Sequence, residues 1–206
     1  LPAELHEIRS AFKQDVPRPL GQAWRDCPED GFQAGEVLTG WNNETLFVLA
    51  ELTTSKPYSK ATANHQHLWK MGDTFEIFLR PAQQESYFEF HISPQNYRLQ
   101  FCFPGTGVIE LIRTKSKTLD DYLVREPLFK STTWIEPASH RWSVLAEIPA
   151  PALLEKPAPL PGSEWLFSFS RYDYIRGGGK PVLSSTSAHR GPKFHCQEEW
   201  GRLRFV

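Results

Sequence analysis

The fold class this sequence predicts is all-β: an antiparallel β-sandwich, immunoglobulin-like or jelly-roll-like, with long loops. Three observations carry that expectation. Aromatics make up 13% of the 206 residues, with fourteen Phe and seven Trp, and such side chains favour pleated strands over helices. Seventeen Pro and thirteen Gly are spread along the chain, and helix interiors tolerate neither. Short runs of strand-forming residues recur between turn formers at the density of a sandwich or barrel.

The runs can be taken in order. Thr45 to Leu52 follows the turn former Asn42-Asn43, and Thr74 to Leu79 is closed by Pro81. Tyr87 to Ile92 alternates before Pro94, and Tyr97 to Phe103 follows it. Leu128 to Trp134, Arg141 to Ile148, Trp165 to Tyr172 and Gly201 to Val206 complete the set. One short helical turn is expected at Pro149 to Glu155, ended by Pro157, Pro159 and Pro161. Pro104-Gly105-Thr106-Gly107 reads as a loop and Arg176 to Lys180 as a flexible hairpin tip. Strand patterns resume at once on both sides of each, and no repeat of fixed period is visible. Residues 1–206 are therefore expected to form a single domain.

Composition narrows the function classes. The formal charge is −1, from 23 basic and 24 acidic residues, with no basic stripe, so nucleic acid is not an expected partner. No apolar run approaches the roughly 20 residues that cross a bilayer as a helix. Beginning at Leu1-Pro2 without Met fits a processed secretory protein or a trimmed chain. Cys27, Cys102 and Cys196 are widely spaced, which allows one disulfide plus a free thiol, or none, and no CxxC zinc knot is present.

The two central runs define faces, because side chains alternate along a strand. Phe75, Ile77 and Leu79 share one side of the first, opposite Glu76, Phe78 and Arg80. Phe88, Phe90 and Ile92 share one side of the second, opposite Tyr87, Glu89 and His91. Joined through the short loop around Pro81 to Gln84, they should pair antiparallel. Matching the apolar faces then gathers Glu76, Arg80, Tyr87, Glu89 and His91 on one polar, aromatic-bearing surface of the kind a sandwich uses to bind something polar.

Four blocks in order resemble the family 9 carbohydrate-binding modules, within a wider superfamily of sugar- and haem-binding β-sandwiches. They are Leu68-Trp69-Lys70-Met71-Gly72-Asp73-Thr74-Phe75-Glu76-Ile77-Phe78-Leu79, Tyr87 to Pro94, Trp142 to Pro149, and Phe194 to Leu203. The likeness runs from about Trp24 to the end. It implies a non-catalytic module, secreted or periplasmic, serving polysaccharide degradation. Its cleft would clasp a mono- or oligosaccharide between two aromatic walls, and structural calcium would accompany it in some members. Carried over by motif, Trp69 is the first wall, Phe194 the second, and Glu76 a hydroxyl acceptor. Arg171 and His195 are further candidates for the hydroxyls. The chain departs from the pattern in three places. The Trp69-to-Glu76 spacing is one residue longer, the second wall is Phe rather than Trp, and Ser168 and Ser170 stand where Asn and Gln are usual.

Other readings of the same residues compete. Glu76 and Glu89 could be the carboxylate pair of a glycosidase, or solvated charges balanced by Arg80 and His91. Met71 with His91 or His195 could ligate haem. His65 and His67 could ligate a metal, but no third ligand is evident beside them, so an exposed loop is the preferred reading. Trp24, Trp142 and Trp165 are expected in the core, and Trp41 on an edge. A module of this fold that has lost its sugar site is the alternative to sugar binding.

Overall fold

The computed structural model describes residues 3–12, 15–54, 56–174 and 179–206. A short helix, α1 (Ala3–Ala11), precedes strands β1 (Arg18–Pro19), β2 (Gly35–Trp41) and β3 (Thr45–Thr53). Strands β4 (Thr74–Pro81), β5 (Tyr87–Ile92) and β6 (Arg98–Phe103) follow, then α2 (Val108–Arg113). Strands β7 (Lys130–Glu136), β8 (Arg141–Pro149), β9 (Glu164–Asp173), β10 (Val182–Ser185) and β11 (Gly201–Arg204) complete the chain.

The strands form two antiparallel sheets. One has the order β1-β2-β3-β8-β7, and the other β10-β9-β4-β5-β6 with β11 also on β9. The expected hairpin is present, with Phe75 opposite Ile92, Ile77 opposite Phe90 and Leu79 opposite Phe88. Alternation puts those six side chains on the inner face. There they meet Val48, Ala50 and Leu52 of β3, Trp142 and Val144 of β8, and Trp165, Phe167 and Phe169 of β9. Each large side chain withdrawn this way contributes about 1.5–3 kcal/mol of apolar transfer free energy, so this inter-sheet layer dominates the fold.

All eight expected strands are present, within a few residues at their ends. The helical turn expected after Pro149 is a 3₁₀ turn at Ala150–Ala152. Strands β1, β2 and β10 and both helices lie outside the sequence expectations. Strand β2 hides its period because Val37 faces the core while Leu38 packs beneath α1 with Leu5, Phe12 and Leu49. Trp142 and Trp165 are core, whereas Trp24 is half-buried against Phe194. Trp41 ends β2 and meets Phe205 edge-on. The cysteines are free thiols. The expected hairpin tip at Gly177-Gly178 lies outside the described residues.

Candidate functional site

The second sheet turns its outer face toward loops instead of solvent. Register places Glu76 beside His91 on one side and Ser170 on the other. Phe78 stands between Glu89 and Ser168, and Phe101 lies across from Glu89. Over this face fold the segments carrying Leu68, Val108, Phe194 and Trp200. With Phe78, Tyr87, Leu99, Phe101 and Phe103 they make a second hydrophobic cluster. The reading of Glu76 and Glu89 as solvated charges is thereby corrected. Glu76 is 2% exposed, Glu89 5% and His91 1%.

Buried charges require partners, and here the partners form a row. Glu76 Oε1 lies 3.3 Å from His91 Nδ1, and His91 Nε2 lies 2.6 Å from Glu89 Oε1. Glu89 Oε2 is 3.6 Å from His195 Nε2, whose Nδ1 is 3.0 Å from the Tyr87 hydroxyl. Burial, reinforced by the nearby Glu89 charge, pushes the Glu76 carboxyl well above its ordinary range. Burial acts on Glu89 in the same sense, but the His195 and His91 imidazoles outweigh it and hold Glu89 below. Of the two carboxyls, Glu76 is thus the one pushed toward the protonated form and Glu89 the one held toward the anion. These groups are neither solvated nor balanced by Arg80, since the imidazoles face them. Both nitrogens of His91 face carboxylates, and Met71 packs in the outer cluster.

Trp69 sits at the margin of this row, half-buried on a 3₁₀ turn, Leu68–Lys70. The turn is firmly seated. Gly72 passes so close to the Tyr58-Ser59 segment that a Cβ there would stand 2.3 Å from the Tyr58 carbonyl oxygen. Asp73 accepts the Tyr58 and Tyr174 amides at 2.7 and 2.6 Å, and the Tyr174 hydroxyl donates to the Trp69 carbonyl. Trp69 lies over His91, ring centroids 5.0 Å apart, and His67 stacks on it at 4.7 Å and 20°. The Lys70 ammonium can only donate, so His67 Nδ1 accepts from it at 3.4 Å. His67 Nε2–H then donates to Asp120 at 2.9 Å. His67 is thus pinned on Trp69 by one neighbour in sequence and one distant residue.

The sequence-derived site residues separate into three places. Trp69, Glu76 and His195 belong to the outer face, the last two linked through Glu89 and His91. Phe194 is on the same side but 4% exposed, hemmed by Trp24, Phe78, Tyr172 and His189. It offers no open wall opposite Trp69. Arg171 is on the other face altogether, because it shares the parity of Phe167 and Phe169. It is 0% exposed, donates 2.8 Å to the Thr53 carbonyl of the first sheet, and pairs with Asp173 at 2.9 Å. In the structure it ties the two sheets together. Arg171 also supplies the cation for Asp73 and Asp173, so that acidic pair does not fit a calcium ion. His67 and Asp120 border the site without having been singled out for it. Asp120 had no local signal, because only a long loop brings it to His67.

No family model matches the sequence, and no curated protein matches it. Solved structures do. A protein from Bacteroides uniformis, provisionally described as carbohydrate-binding, aligns at TM-score 0.73 and 16% identity, covering 98% of this chain and 92% of its own. A family 9 carbohydrate-binding module from Caldicellulosiruptor kristjanssonii in complex with cellotriose aligns at TM-score 0.61 and 15% identity, covering 94% and 84%. The same organism's module in complex with glucose aligns at 0.59 and 14%, covering 94% and 85%. The chain has the β-sandwich fold of the family 9 carbohydrate-binding modules.

Proposed function

We propose that the chain is a non-catalytic carbohydrate-binding module, acting outside the cytoplasm, that takes one sugar ring on the face of Trp69. The observation that carries this reading is the Trp69 platform itself. It is a half-buried indole on a braced turn, already stacked by one small planar ring and bordered by Lys70 and Asp120. Sugar rings present apolar C–H faces that gain dispersion contact on an indole, while their hydroxyls need directed donors and acceptors. A bound sugar displaces His67, and the freed Lys70 and Asp120 bond its hydroxyls. The likeness to modules solved with cellotriose and glucose supports the same ligand class.

The test is titration with glucose, cellobiose, cellotriose and a wider glycan panel, followed by calorimetry and Trp emission. Trp69→Ala, with fold checked by circular dichroism, is expected to weaken binding at least about tenfold, roughly 1.4 kcal/mol. His67→Ala is expected to strengthen it up to about fivefold, because the sugar no longer competes with a surface pair worth about 0–1 kcal/mol.

One observation favours a second reading, a structural or interaction module of the same fold. Phe194 is walled in by its own neighbours and His67 covers Trp69, as in a cleft filled from within. Silence toward every sugar at millimolar concentration, in wild type and in His67→Ala alike, would select it.

A further inference from the structure

We infer that Glu76, Glu89 and His91 hold one divalent transition-metal ion of the Zn²⁺ type beneath the Trp69 turn. One donor atom from each of these residues lies within 4.8 Å of the others, and all three residues are buried. Tetrahedral zinc with bonds of about 2.0–2.2 Å separates its ligand atoms by roughly 3.4 Å. The Glu76–His91 separation of 3.3 Å already matches.

Two buried atoms in the row lack a hydrogen-bond partner, Glu89 Oε2 and His91 Nδ1. Of these, His91 Nδ1 faces Glu76 Oε1 at 3.3 Å, wide for a hydrogen bond and close to the spacing of two ligands on one ion. Charge agrees, because two carboxylates and a dication sum to zero in an interior where a residual charge is costly. Mixed imidazole and carboxylate donors suit zinc, whereas calcium takes 6–8 oxygens.

The inference is independent of sugar binding and is tested without sugar. Chelator-stripped protein is titrated with Zn²⁺ by calorimetry and with Co²⁺ by visible absorption. One ion per chain, at micromolar affinity or tighter, with the d–d bands of tetrahedral cobalt, is expected. X-ray absorption of the Zn²⁺-loaded wild type should give nitrogen and oxygen neighbours with imidazole scattering. Glu76→Gln, Glu89→Gln and His91→Gln, where folded, should weaken Zn²⁺ beyond the roughly 10–100-fold that loss of an outer-shell partner costs. Folded wild type without heat or cobalt bands overturns the inference. So does a sulfur neighbour in the absorption spectrum, or binding that survives in the folded variants.

Discussion

Arg171→Ala is expected to cost about 3–5 kcal/mol, the usual penalty for leaving a buried charge without its partner. The guanidinium is 0% exposed and pairs with Asp173, itself 3% exposed. It also donates to the Thr53 carbonyl at the end of β3, so one side chain ties the two sheets together. Removing it strands the Asp173 carboxylate and orphans that carbonyl. Desolvation already pushes the Asp173 pKa up with Arg171 in place, so loss of the cation would push it further. Urea unfolding of wild type, Arg171→Ala, Asp173→Asn and the double variant measures the coupling. The double variant should recover part of the loss, because no buried charge remains at position 173. Against a typical domain stability of 5–15 kcal/mol, the single variant sits near the folding threshold. Where it folds, its sugar affinity should be unchanged, the reverse of what a hydroxyl-binding arginine would give. A selective loss of affinity at full stability would refute the cross-sheet assignment.

The second large effect is on pH dependence and belongs to Asp73. Burial raises its pKa from 3.8 to about 6, against two backbone amides and Arg171, which favour the anion. A carboxyl whose folded pKa is raised contributes stability that is fully present below pH 3.8 and is lost as pH rises through about 6. That shift corresponds to about 3 kcal/mol. Wild type should therefore gain stability relative to Asp73→Asn as pH falls from neutrality to 4, by up to that amount. The difference between the two proteins is the right observable, since Glu76, Glu89 and His195 titrate in both. Denaturant melts at several pH values give it directly, and a gap that stays constant with pH would show that Asp73 keeps an ordinary pKa. Because Asp73 anchors the turn that carries Trp69, sugar affinity should be compared in the same buffers.

What was legible in the sequence follows from short-range physics. Period-two alternation in Thr74–Leu79 and Tyr87–Ile92 sets which side chains share a face, and backbone pairing then puts Glu76 beside His91. No long-range information enters that step. The same reasoning put Trp142 and Trp165 inside. It failed for β2, where both faces are covered and the period disappears, and for Asp120, whose meeting with His67 spans 53 residues.

The site shows the division most clearly. The residues around Trp69 and Glu76 were identifiable from a local motif, but their environment was not. Whether Glu76 meets water or an imidazole depends on the loops that carry Leu68, Val108 and Phe194, which arrive from three distant parts of the chain. Arg171 illustrates the same limit, since parity alone sends it inward, yet only the end of β3 supplies the carbonyl that makes burial tolerable. By itself, then, the sequence determined eight of the strands, the faces of the central pair and the chemistry available there, because alternation and side-chain type are local. Burial, partner and protonation state were decided by tertiary structure, because each is a property of what the rest of the chain brings alongside.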